Sequence, residues 1–101
     1  MPNLTKPVTN TVEAEDYRKL IFEVLGKQKL GRDFIPLMTA YLTDMTKASD
    51  LARGYSEGIF AAAKLYPANS TTNSAHGVSD IAKLETVLSK MEDIGMPLLI
   101  H

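Results

Sequence analysis

The sequence predicts an α/β chain built on a parallel sheet, read as a slice of a (β/α)8 TIM barrel. Three observations carry that prediction. Apolar runs of strand length at residues 34–42, 59–66 and 96–100 alternate with stretches of helical periodicity. The runs are near-continuously apolar, as strands covered on both faces are. Both ends also look cut: residues 1–4 read as the tip of a strand, and His101 directly follows one. Three parallel strands leave two open edges, a template for aggregation that a closed barrel removes. A small flavodoxin-like or Rossmann-like sheet is the structural alternative. Against it, Gly26, Gly31, Gly54 and Gly58 form neither a GxGxxG nor a GxxxxGK phosphate loop. Residues 1–101 are therefore expected to be one piece of a single barrel domain.

The elements follow in order. Residues 1–10 carry Pro2, Pro7 and several Asn and Thr, and read as a loop. Asn10 with Glu13 three residues on is a cap-like start, and Glu13, Glu15 and Asp16 suit the positive end of a helix dipole. Tyr17, Leu20, Ile21, Val24 and Leu25 recur at helical spacing as one apolar stripe, and Gly26 reads as the stop. The run at 34–42 contains Pro36, unusual in a central strand because it donates no ladder hydrogen bond. A short helix over 47–57 buries Leu51, Ala52 and Tyr55 and ends at Gly58. The run at 59–66 is interrupted by a single charge, Lys64, and Pro67 stops it. Residues 67–78 form a long polar loop, a length that signals function or disorder. Ser79 is expected to cap a third helix that turns Ile81, Leu84, Val87 or Leu88, Met91 and Ile94 inward and closes at Gly95.

Composition narrows the classes of function. The chain is 45% hydrophobic and 23% charged with a net charge of −1, so no basic field calls for nucleic acid or anionic lipid. It has no cysteine, which excludes a disulfide framework and a thiolate zinc site. A metal would need His, carboxylate or modified Lys as ligands. No apolar run approaches the roughly 18 residues of a membrane span. The first five residues lack the basic and apolar regions of a signal peptide, so the expected location is the cytoplasm.

Residues at the carboxyl ends of barrel strands face the active site. Asn3, Lys64 and His101 hold such positions. By period two, Lys64 shares a face with Phe60, Ala62 and Tyr66. An ammonium there snorkels to the rim or pairs with a carboxylate. Alternatively it gives up its proton and acts as nucleophile, Schiff-base former or carbon dioxide acceptor. A carbamate made that way is a long-armed carboxylate able to bridge two metal ions. His101 is either a frayed surface residue or, at the tip of a buried strand, an imidazole ligand suited to zinc. His76 reads as a solvated loop residue. The hydroxyls and amides of residues 69–74 serve either a solvated connector or a lid that closes over substrate. Asn3 is a turn residue or a substrate-binding amide.

Several stretches resemble bacterial-type single-function dihydroorotases. They are Met1-Pro2-Asn3-Leu4 with Pro7-Val8-Thr9, Phe34-Ile35-Pro36-Leu37-Met38-Thr39 with Tyr41-Leu42-Thr43-Asp44, and Gly95-Met96-Pro97-Leu98-Leu99-Ile100-His101. The most specific is Lys64-Leu65-Tyr66-Pro67-Ala68-Asn69 running on to Thr71-Thr72-Asn73-Ser74 and His76-Gly77-Val78. The resemblance spans the chain in matching order. It implies a barrel portion from about the end of strand two to the end of strand five. It implies reversible zinc-dependent hydrolysis of the cyclic amide of dihydroorotate to N-carbamoyl-aspartate, a step of pyrimidine synthesis, by a protein that is a homodimer at full length. It makes Lys64 a carboxylated lysine bridging two zinc ions and His101 a ligand of one of them. Asn3 would hold the substrate carboxylate, and Thr71 and Thr72 would sit on a mobile loop.

The departures are as informative. The family's His-x-His pair, a further His, a catalytic Asp and a substrate-binding Arg have no counterpart in residues 1–101, so the chain alone is expected to be inactive. Lys6 stands where the family is often richer in proline, and residues 26–31 are slightly longer than usual. Two rivals remain at this point: a related cyclic amidohydrolase acting on a ring such as a hydantoin, and a non-catalytic barrel remnant that packs on another chain.

Overall fold

A computed structural model describes residues 4–27 and 35–101. Asn3, Phe34 and Gly31 lie outside the described residues. The order of elements is helix α1 (Thr11–Lys27), strand β1 (Met38–Tyr41), helix α2 (Ala48–Ser56), strand β2 (Phe60–Leu65), helix α3 (Glu85–Ile94) and strand β3 (Leu98–Ile100). A short 3-10 turn, Ile81–Leu84, leads into α3. The strands form one parallel sheet in the order β1-β2-β3. Sequential parallel strands joined by helices are the expected βαβ arrangement.

Local chemistry explains most boundaries. Asn10 accepts from the Glu13 N–H at 2.9 Å while its own side-chain amide donates to Glu13 at 2.9 Å, a reciprocal cap that opens α1. A second clasp holds α1 against α2: the Thr11 N–H and hydroxyl donate to the Asp50 carboxylate at 3.0 and 2.9 Å. Gly58, at φ 75°, turns the chain out of α2, and Gly95, at φ 70°, ends α3 in the left-handed conformation that glycine adopts without strain.

The core lies between the sheet and the helices. Ala40, Ala63 and Leu65 from the strands and Leu42 just beyond β1 meet Ala14, Leu51, Leu84, Val87 and Met91 from the helical side. Four expectations need correction. The α1 stripe is narrower than its spacing implies: Tyr17 and Ile21 pack on the core, but Leu20 and Val24 are more than half exposed. Gly26 does not stop α1, which continues to Lys27. The first strand begins at Met38, not at 34, and Ile35 and Leu37 beside Pro36 are largely exposed. A proline supplies no ladder donor, so pairing starts only beyond it. Ser79 is not the cap. Asp80 accepts from the Ala82 N–H at 3.0 Å, and the turn it opens leaves Ile81 exposed.

Candidate functional site

In a parallel sheet every strand's carboxyl end lies at the same edge, and here that edge gathers Tyr41, Lys64, Tyr66 and His101. The register explains how. Tyr41 and Leu99 stand opposite Lys64 on the two flanking strands, and Thr39 stands opposite Ala62. These residues share the sheet face away from α2 and α3. Phe60, expected on that face by strict alternation, is on the other one. A register shift between Met38 and Thr39 pairs Phe60 with Met38, and its ring lies against Gly54 of α2. One extra residue in a strand reverses the parity of everything before it.

Tyr66 is the hub of the cluster. Its ring stacks on Tyr41 with centroids 5.3 Å apart and planes 21° apart. On the β3 side it meets the His101 ring at 5.2 Å. The Lys64 ammonium sits 5.2 Å from the same ring's centroid, within the range of a cation–π contact. Tyr66 is buried. His101 falls level with it because the His101 N–H donates to the Leu65 carbonyl at 3.0 Å, extending the β2–β3 ladder by one step.

Lys64 is half-buried and, among the described residues, makes no ion pair with a carboxylate. The Tyr41 hydroxyl is buried with no hydrogen-bond partner among them. Burial, then the neighbouring Tyr66, pushes the Tyr41 phenol above its ordinary value. A buried polar group without a partner is uncommon and calls for an explanation. An amine and an imidazole at adjacent strand ends fit part of a metal site, the imidazole directly and the amine once carboxylated. They are not a complete set: among the described residues no three His, Cys, Asp or Glu side chains converge.

The loop over 67–78 is built rather than loose. Val78 donates to the Tyr66 carbonyl at 2.8 Å and Ala68 to the Val78 carbonyl at 2.9 Å, closing its neck. Ser74 is buried at its centre, where its hydroxyl accepts from the Thr71 N–H at 2.9 Å and donates to the Thr71 carbonyl. Asn69 and Asn73 take positive φ values of 59° and 57°, a conformation asparagine tolerates better than most residues. Much of the polar character of this loop therefore serves its own turns. Thr71 and Thr72 are exposed at its outer edge. His76 is exposed and, with Lys6, Thr43, Asp44 and Gly77, lines an open cleft of about 560 Å³. The cleft belongs to the same end of the sheet, but Lys64 and His101 do not line it. Tyr41 and Tyr66 were not among the sequence-predicted site residues, and Ser74, read as a possible lid hydroxyl, is instead buried at the loop's centre. Tyr66 had a signal, two residues from Lys64; the Tyr41–Lys64 pairing is non-local and had none.

No family model matches the chain. Among solved structures it is similar to the crystal structure of dihydroorotase in complex with 5-fluoroorotic acid from Saccharomyces cerevisiae. That likeness has a TM-score of 0.83 at 29% identity and covers all of this chain and 27% of the other. The three-stranded sheet and its helices are thus a segment of a TIM-barrel-like α/β fold, with the polar cluster at the carboxyl edge of the strands.

Curated relatives align with the chain over its whole length. Dihydroorotases of Sphingopyxis alaskensis, Photorhabdus laumondii and Pectobacterium carotovorum are 55%, 54% and 52% identical over all 101 residues. Along its whole length the chain is similar to dihydroorotases. It spans 28–29% of the length of these relatives.

Proposed function

We propose that these residues form part of a dihydroorotase, as the barrel portion from about the end of strand two to the end of strand five. The observation that carries the reading is identity of 52–55% over the whole chain. The juxtaposition of Lys64, Tyr66 and His101 at the carboxyl edge of the sheet supports it. The 5-fluoroorotic acid of the yeast structure is a ring acid of the class this reading assigns as ligand.

The reaction opens a cyclic amide. Water adds to the ring carbonyl, the carbon–nitrogen bond breaks, and the ring nitrogen takes a proton to give N-carbamoyl-aspartate. When bound, two zinc ions supply Lewis-acid polarisation of the carbonyl and an activated water. In this reading Lys64 reacts with carbon dioxide, forming a nitrogen–carbon bond and releasing a proton to solvent. Its carbamate is a ligand, and His101 contributes an imidazole. Asn3 donates to the substrate carboxylate. The Thr71 and Thr72 hydroxyls, at the exposed edge of the loop, offer hydrogen bonds to substrate when the loop lies over the site. The remaining ligands and the proton-shuttling acid come from beyond these residues. The complete protein is a homodimer of the cytoplasm with a small-molecule substrate and neither nucleic acid nor membrane as partner. Among the described residues no helix is long and apolar enough to cross a membrane.

The relatives carry a single activity name, so a hydantoin-directed enzyme and a non-catalytic subunit are not favoured. The test is interconversion of dihydroorotate and N-carbamoyl-aspartate by the complete zinc-loaded protein, with hydantoin as competing substrate. Turnover of dihydroorotate, abolished by Lys64→Ala, is the expected result. Turnover of hydantoin alone, or of neither, overturns the reading.

A further inference from the structure

We propose that Tyr66 is a positioning residue whose ring is the shared wall that aims the Lys64 side chain and the His101 imidazole into one site. The inference rests on the reading of Lys64 and His101 given above. It adds a residue that touches both of them and that no ligand role requires.

The geometry is direct. One buried ring lies 5.2 Å from the Lys64 ammonium and 5.2 Å from the His101 ring centroid. It cannot swing toward β1, because the stacked Tyr41 ring fills that side at 5.3 Å. Its backbone is held as well: the Tyr66 carbonyl accepts from Val78 across the neck of the loop. The stacked Tyr41 ring and the held backbone thus restrain the ring on the β1 side.

A lysine has four rotatable side-chain bonds and, unrestrained, spreads over many rotamers. A carbamate on its end serves as a bridging ligand only when it points one way. The imidazole at a strand tip has the same difficulty on a smaller scale. A flat wall between them removes the orientations that turn either group away. Residues behind the ligands of metal sites act in this manner. Both contacts are with the ring, the ammonium over it and the imidazole tilted at 35° to it, so the role belongs to the ring and not to the hydroxyl.

The experiment compares Tyr66→Phe, Tyr66→Leu and Tyr66→Met in the complete protein. The readouts are zinc affinity, the ¹³C signal of the lysine carbamate after incubation with labelled bicarbonate, and the thermal midpoint of the metal-free form. Tyr66→Phe keeps the ring and is expected to match wild type in zinc affinity and carbamate signal. The Leu and Met variants keep apolar volume without a flat face. They are expected to lose about 10- to 100-fold in zinc affinity, the usual cost of losing such support, and to show a weakened or broadened carbamate signal. Equal zinc affinity and carbamate signal in a folded Leu or Met variant overturn the inference. So does a Phe variant that falls as far as they do, which would move the role to the hydroxyl. A wild-type protein that holds no zinc and shows no carbamate refutes the reading of the site itself. If wild type holds both and the variants do not differ, only Tyr66 is excluded.

Discussion

Ser79 gives both its backbone N–H, at 3.0 Å, and its hydroxyl to the carboxylate of Asp44. A single side chain thereby ties the turn after β1 to the end of the long loop after β2. The Lys83 ammonium stands 3.8 Å from the same carboxylate and 3.4 Å from the Ser79 hydroxyl oxygen. The loop that carries Thr71 and Thr72 is therefore fastened at one end by its neck on Tyr66 and at the other by this clasp.

The clasp sets a pH dependence. The Ser79 hydroxyl first, then the Ser79 N–H and the Lys83 charge, hold the Asp44 carboxyl below its ordinary 3.8. The unfolded chain then takes up the proton more readily than the folded one, so the contribution is complete above the ordinary carboxylate range and is lost as pH falls through the depressed value. Hydrogen exchange at the Ser79 amide, normalised to that of Ala40, is expected to rise as pH falls through that range. In Asp44→Asn it is expected to be faster throughout and without that extra rise. A wild-type response identical to the variant's would show that the clasp does not hold in solution.

Gly77→Ala is expected to loosen the neck of the loop. A Cβ at Gly77 would run into the Tyr66 carbonyl oxygen and lie 3.1 Å from the Ala68 nitrogen, both backbone atoms. Neither yields without moving the strand end that carries Tyr66. Overpacking of this kind costs about 1–3 kcal/mol. The check is the unfolding free energy together with the rate of proteolysis within residues 67–78, which is expected to increase. An unchanged proteolysis rate would count against the neck as the point of closure.

At Gly54→Ala two effects oppose each other. Alanine gains about 1 kcal/mol over glycine within a helix. Against that, its Cβ would lie 2.5 and 2.9 Å from two carbons of the Phe60 ring, which is 2% exposed and has no room to retreat. A clash in a close-packed interior costs about 1–3 kcal/mol, and the net result expected from denaturant unfolding is destabilisation. A stabilised variant would place Phe60 back on the face that strict alternation assigns to it.

Tyr41→Phe removes a buried hydroxyl that has no partner among the described residues. Leaving such a group unpaired costs about 1–3 kcal/mol, so the variant is expected to be as stable as wild type or more so in the metal-free protein. The wild-type phenol is raised above 10.0, by burial foremost. Its neutral form favours the folded state, and that advantage is present below pH 10.0 and lost as pH rises through the raised value. The alkaline loss of stability should therefore shrink in the variant. Marked destabilisation of Tyr41→Phe would reveal a hydrogen-bond partner for the hydroxyl.

Features set by neighbours in the chain were legible in the sequence. The Asn10–Glu13 cap, the stops at Gly58 and Gly95, and the strands within the apolar runs at 59–66 and 96–100 lie where their local chemistry places them. So did the strand-end positions of Lys64 and His101. Features that depend on distant pairing were not. Leu20 and Val24 fit the helical period of α1, but the period does not say how wide a stripe the sheet will cover. Ser79 and Asp80 are equally good caps by type. What separates them is Asp44, 35 residues away, which engages Ser79 and leaves Asp80 to open the turn.

The sequence by itself determined the alternation of helices and strands, the parallel sheet, and the resemblance to dihydroorotases, because capping, periodicity and motif order are written in consecutive residues. Only the tertiary structure decided which face each side chain joins. The register shift before Thr39 sends Phe60 to the helices and leaves Ala62, Lys64 and Tyr66 opposite them. Only there does Tyr66 come to lie between Tyr41, Lys64 and His101. The reason is geometric: side-chain direction in a sheet alternates with period two, so a single irregular residue inverts it, and that residue is chosen by packing between strands rather than by the strand's own composition.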